Sequence, residues 1–131
     1  MTVGCQLSKL AGVGDAVRHA ATSIVGSTAA DLVDLAVTEI CSNIIRHGHA
    51  GDPAHEFLVT IRSGGDAIEV VIADVGPPFD MTQPVMPSVD VELDSLAEGG
   101  YGMALAAATM DVFEQRRVGG TNITRLVKRR P

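Results

Sequence analysis

Glu39, Asn43 and His47 follow one another at intervals of four residues. In a helix that spacing stacks side chains along one face, about 6 Å further along the axis at each step. A carboxylate held one turn from a carboxamide can do two kinds of chemistry. The Glu39 carboxylate can accept a proton or orient a hydroxyl. The Asn43 amide oxygen is a hard ligand of the kind magnesium takes beside phosphate and water oxygens. The same positions also suit the polar edge of an ordinary amphipathic helix. A second constellation, Asp74-Val75-Gly76-Pro77-Pro78-Phe79, closes an apolar run. An ionised carboxylate there only accepts, so it needs a donor, either a ligand amine or the backbone of a turn. Gly76 lets a ligand come close to the backbone. A third, Glu98-Gly99-Gly100-Tyr101-Gly102-Met103, precedes an Ala-rich apolar stretch. Glycines before a helix turn backbone N–H groups toward an anion, or they simply form a linker. The stretch has neither the preceding strand and G-x-G-x-x-G spacing of a dinucleotide fold nor the Gly-Lys-Ser/Thr of a Walker loop.

These residues must be carried by a small set of elements. Residues 3–8 read as a short first strand. Asp15 to Val25 reads as a helix with Ala16, Val17, Ala20, Ala21 and Ile24 on one face. Thr28-Ala29-Ala30-Asp31 has the form of a capping box, and a long helix follows to about His47, ended by Gly48 and Gly51. His55–Arg62 and Ala67–Val75 alternate like strands around the turn Ser63-Gly64-Gly65-Asp66. Gly76 to Gly100 holds prolines and acids but no Lys or Arg, which suits a functional loop. Met103 to Met110 reads as a short helix. Val112–Val118 and Thr121–Lys128 flank Gly119-Gly120, a two-residue hairpin signal. Strands and helices do not alternate, so a sheet with helices on one face is favoured over a doubly wound one.

Composition narrows the function. The 131 residues suit one domain, and 46% hydrophobic against 20% charged residues excludes a disordered chain. With 10 Lys and Arg against 16 Asp and Glu the net charge is −6, which disfavours general nucleic-acid binding. Aromatics at 3% and no Trp disfavour base stacking. No apolar run reaches the ~18 residues of a membrane span. The start Met1-Thr2-Val3-Gly4-Cys5 is unlike a secretory signal, so a cytoplasmic location is expected. Cys5 and Cys41 form no C-x-x-C pair, against a disulfide framework or zinc site.

Taken in order, an E-x-x-x-N-x-x-x-H helix, D-x-G-x-x-F after a strand and G-x-G before a helix resemble the GHKL (histidine kinase-like) ATPase superfamily. The likeness tightens in Val37-Thr38-Glu39-Ile40-Cys41-Ser42-Asn43-Ile44-Ile45-Arg46-His47-Gly48 and in Asp74-Val75-Gly76-Pro77-Pro78-Phe79-Asp80. It continues through Gly99-Gly100-Tyr101-Gly102-Met103, Met110-Asp111 and the closing Gly120–Arg129. These segments are similar to the anti-sigma factor serine kinases, over roughly residues 13–129. The resemblance implies an α+β two-layer sandwich, the Bergerat fold, with a mixed, mostly antiparallel sheet and helices on one face. It implies one histidine kinase-like ATPase domain over 1–131, with an ATP lid about 80–102. No phosphoacceptor helix is expected before it and no transducer domain after it.

The resemblance also assigns roles. Glu39 would be the general base toward a serine hydroxyl. Asn43 would hold Mg2+ bridging the phosphates of ATP. Asp74 would accept from the adenine amine, with Gly76, Phe79 and His47 lining the site. Gly100, Gly102 and Met103 would belong to the lid hinge that meets the phosphates. Thr121, or alternatively Thr124, would support the adenine end through water. The implied protein binds ATP or ADP, phosphorylates a serine of an anti-anti-sigma partner with a STAS domain, sequesters a sigma factor and forms a homodimer. The pattern departs at Leu96-Ala97-Glu98, where relatives carry a lid Arg or Lys, and at His49, where Tyr is common. A carboxylate near phosphates repels them. That departure supports an alternative, a nucleotide-binding partner switch without chemistry, unless a cation such as Arg46 arrives from elsewhere.

Overall fold

Ile68, Val70 and Ile72 recur at every second position and end on Asp74, and all four are buried on one face of a central strand. A computed structural model describes residues 1–48, 55–77 and 102–131. Five strands, β1 (Thr2–Gly4), β2 (Glu56–Gly64), β3 (Ala67–Asp74), β4 (Val112–Val118) and β5 (Thr121–Arg129), lie in the order β1-β2-β3-β5-β4. All described pairings are antiparallel, in keeping with the mostly antiparallel sheet expected. Gly119 and Gly120 take φ of 56° and 80°, the positive values that a two-residue hairpin turn of this hand demands. That turn sets Val118 opposite Thr121 and so fixes the register of the last hairpin.

Helices α1 (Leu10–Val25), α2 (Ser27–Asn43) and α3 (Gly102–Thr109) supply the second layer. Helix α1 packs on α2 and on β2 and β3, while α3 packs on α2. Val13, Val17, Val33, Val37, Ile40, Phe57, Val59, Ile72 and Leu126 meet in one core, so the helices cover a single face of the sheet. Burying each such side chain stabilises by about 1.5–3 kcal/mol.

Strand β1 ends at Gly4 rather than running to residue 8, where a 3-10 turn follows, and two further boundaries differ from expectation for identifiable reasons. Helix α1 begins at Leu10 rather than Asp15, after a 3-10 turn over Leu7–Lys9. The added residues include Gly12 and Gly14, and at Gly14 a Cβ would lie 2.5 Å from Asp34 Oδ1. Gly there leaves room for the Asp34 side chain of α2 despite its low helix propensity. Helix α2 is capped by Gly26, with φ 87° and no side-chain cap bond, rather than by the Thr28–Asp31 box. Asp31 instead faces Arg18 on α1, at 3.3 Å.

The basic C-terminal residues are largely occupied inside the fold. Lys128 Nζ donates to Thr109 O at the end of α3 (2.7 Å), and Arg130 Nε donates to Ile24 O near the end of α1 (2.8 Å). Cations at helix C-termini meet the negative end of the helix dipole. Arg125 bonds Glu69 on β3 and faces Glu114 on β4.

Candidate functional site

Helix α2 presents a buried arc of Val33, Ala36, Val37, Ile40 and Cys41. At 100° per residue, Asp34 and Thr38 flank one side of that arc, and Glu39 and Asn43 flank the other. The first edge is fully engaged with α1. Arg18 pairs with both Asp31 and Asp34, and Thr38 Oγ1 donates to Asp34 Oδ1 at 3.1 Å. The second edge is different. Glu39 and Asn43 are half-buried, yet neither side chain makes a hydrogen bond or ion pair to a described residue. Beyond Asn43 the backbone leaves α geometry for a π-helical segment, Ile44–Gly48. His47 lies in that segment. π turns inside helices concentrate at functional sites.

Asp74 ends β3 on the face covered by helices, 4% exposed. Its Oδ1 accepts from Gly76 N at 3.0 Å and from Asn122 Nδ2 at 2.8 Å. The turn reading and the ligand reading of Asp74 are thus compatible: one oxygen begins an Asx turn. The other, Oδ2, makes no hydrogen bond to a described residue. Gly76 is buried beside it, and its carbonyl accepts from Arg117 Nη1 at 3.0 Å.

Asn122 and Arg117 were not singled out by sequence reasoning. Asn122 sits opposite Asp74 on β5 and opposite Arg117 on β4, 1% exposed. Its Nδ2 also reaches Pro77 O at 2.7 Å, and its Oδ1 accepts from Arg117 Nη1 at 2.9 Å. A signal for it existed. The Gly119-Gly120 turn alone places residue 117 opposite residue 122.

Partnered residues across antiparallel strands share a face, and neighbours along a strand do not. Asn122 and Thr124, opposite Asp74 and Ile72, therefore face the helices with Asp74. Thr121 faces the other way, onto a shallow hollow of the uncovered sheet face with Thr2, Leu58, Ala73 and Val75. Thr124 Oγ1 is fully buried and has no hydrogen-bond partner among the described residues. Such a group costs about 1–3 kcal/mol unless something satisfies it.

Asp74 and the helix that bears Glu39 and Asn43 thus lie on one side of the sheet. Met103 packs against the core from α3, whose first residue is Gly102. Phe79, His49 and residues 80–101 of the lid expected over about 80–102, Gly100 among them, lie outside the described residues. Among the described residues no group of three or more His, Cys, Asp or Glu could hold a metal. A magnesium site built on Asn43 is compatible with that, because magnesium keeps few protein ligands and takes the rest from phosphate and water.

Both cysteines are buried and free. Burial pushes the Cys41 thiol from 9.0 up to about 12, which marks it as a core group rather than a nucleophile.

The profile of the family described as the histidine kinase-like ATPase domain matches residues 6–128. The chain belongs to that family. Serine-protein kinase RsbW of Bacillus subtilis (strain 168) is 36% identical to it over 109 residues, 77% of this chain and 67% of that one. RsbW of Bacillus velezensis is 34% identical over 109 residues, with the same coverage. Serine/threonine-protein kinase BtrW of Bordetella bronchiseptica is 34% identical over 92 residues, 69% of this chain and 64% of that one. In fold, the ATPase domain is similar to the histidine kinase domain of a blue-light activated histidine kinase from Erythrobacter litoralis. The TM-score is 0.53 at 18% identity, over 94% of this chain and 60% of that one. No helix among the described residues is long and apolar enough to cross a membrane.

Proposed function

We propose that this chain is an ATP-dependent protein serine kinase that also acts as an anti-sigma factor. The observation that carries the reading is the free edge of α2. Glu39 and Asn43 are aligned and half-buried without a described partner, on a helix whose other polar edge is fully paired. On the same side of the sheet, Asp74 Oδ2 is available to an amine and Thr124 Oγ1 awaits a partner. The similarity to named serine-protein kinases supports the same reading.

In this reading Asp74 accepts from the adenine amine. Thr124, rather than Thr121, supports the purine through a water, because only Thr124 shares the face of Asp74. Asn43 would hold a magnesium ion, which would supply charge neutralisation at the phosphates. The partner's serine oxygen attacks the γ-phosphorus, the bond to the β–γ bridging oxygen breaks, and ADP leaves. Glu39 takes the hydroxyl proton. Positioning and charge neutralisation do most of the work in such a transfer. His47, Gly76, Phe79, Gly100, Gly102 and Met103 complete the proposed pocket. The substrate is a STAS-domain anti-anti-sigma protein, and its phosphorylation frees the kinase to hold a sigma factor in the cytoplasm.

A homodimer belongs to this proposal. The free edge of the short strand β1 and the uncovered sheet face, with Leu58 (47% exposed), Val75 (67%) and Val118 (54%), offer surface for it.

The test is the purified chain with magnesium-ATP and its STAS partner. Phosphoserine on the partner is the expected product. Its absence under conditions where the two proteins bind would reject the kinase reading.

A further inference from the structure

A carboxylate with both oxygens free favours a purine edge that offers two neighbouring donors. Guanine offers such an edge, N1–H beside its 2-amine. Adenine offers one exocyclic amine beside an acceptor nitrogen. Which purine a buried Asp selects therefore depends on how many of its oxygens the protein leaves open.

Here the protein closes one. Each carboxylate oxygen has about two lone-pair sites. Those of Asp74 Oδ1 are taken by Gly76 N and Asn122 Nδ2, at 3.0 and 2.8 Å. The orientation of the Asn122 amide follows from its neighbours. Arg117 can only donate, so it must face Oδ1 of Asn122, and a carboxylate and the Pro77 carbonyl only accept, so they must face Nδ2. The charged side chains bonded in this network are Asp74 from β3 and Arg117 from β4. The Arg117 charge thus strengthens the N–H that Asn122 gives to Asp74, without touching Asp74 itself.

We infer that Asn122, oriented by Arg117, is a positioning residue that sets purine specificity: it commits Asp74 Oδ1 to the protein and leaves one acceptor oxygen, Oδ2, for a base with a single amine. The inference rests on the nucleotide reading of the site. Removing Asn122 reopens Oδ1 and lets guanine's paired donors engage both oxygens.

The experiment is calorimetric titration of the full chain with magnesium-ADP and magnesium-GDP. The wild type prefers ADP by about tenfold or more, the scale of one well-placed base contact. In Asn122→Ala the ADP-to-GDP preference narrows by about tenfold. A merely structural role weakens both nucleotides alike and leaves the ratio unchanged, which overturns the inference alone. A wild type that binds neither nucleotide overturns the inference together with the nucleotide reading.

If Asn122→Ala does not fold, Asn122→Asp decides the matter. It sets a second carboxyl against Asp74, where the original bond spans 2.8 Å, and two carboxyls that close cannot both ionise. With one proton between them Oδ1 is again occupied; with none the pair repels. ADP affinity relative to wild type then falls by about tenfold or more from pH 5.5 to about pH 8.5. A profile parallel to wild type overturns the inference.

Discussion

Asp74→Asn separates the two jobs of this carboxylate without changing its size. Both protein groups at Oδ1, Gly76 N and Asn122 Nδ2, are donors. The amide oxygen of the new Asn must therefore take the Oδ1 position, and its NH2 must take the Oδ2 position. The internal hydrogen bonds survive, so unfolding free energy changes by less than about 1 kcal/mol. The ligand meets a donor where it needs an acceptor. The lost bond to a charged group is worth about 1.5–3 kcal/mol, and the opposed donors add about 1–3 kcal/mol. At about 1.4 kcal/mol per tenfold, a combined loss of about 2.5–6 kcal/mol weakens ADP roughly 60- to 20,000-fold. Isothermal titration with ADP, beside thermal unfolding of both proteins, reads the two effects apart. An ADP affinity within about threefold of wild type, at unchanged unfolding temperature, refutes the reasoning.

Other outcomes follow from the same geometry. Thr124→Val removes a buried hydroxyl that has no partner, so thermal unfolding shifts upward by up to about 1 kcal/mol of stability while ADP binding weakens by about tenfold. Gly14→Ala sets a methyl 2.5 Å from Asp34 Oδ1, so the Asp34 side chain must turn away from Arg18 and Thr38, costing about 1 kcal/mol in denaturant unfolding. The raised Cys41 pKa gives an alkaline signature: above pH 9.0 the unfolded chain releases the thiol proton while the folded chain keeps it up to about pH 12. Stability therefore falls with rising pH across that window, by up to about 1.4 kcal/mol per unit, and Cys41→Ala flattens this slope.

Much of the fold was legible because its signals are local. Alternation in Ala67–Asp74 and the Gly119-Gly120 turn each act over a few residues and survive into the structure unchanged. Asp74 and the Glu39–Asn43 pair stood out for the same reason, a polar group at a fixed interval on an apolar background. What escaped depends on partners distant in sequence. Helix α1 starts at Leu10, and the use of Gly14 within it appears only against Asp34. The choice between Thr121 and Thr124 needed the pairing of β5 with β3, since Leu126 and Val127 are both buried and blur the alternation. Asn122 looked like a hairpin residue until the register set it across from Asp74. The π segment after Asn43 gave no propensity signal.

The most direct measurement pairs nucleotide affinity with phosphoryl transfer in Glu39→Gln, which keeps the shape of the side chain but cannot accept the serine proton. The account predicts ADP binding within about threefold of wild type and phosphoserine formation slowed by about 100-fold or more. Phosphorylation of the STAS partner at the wild-type rate by this variant would contradict it.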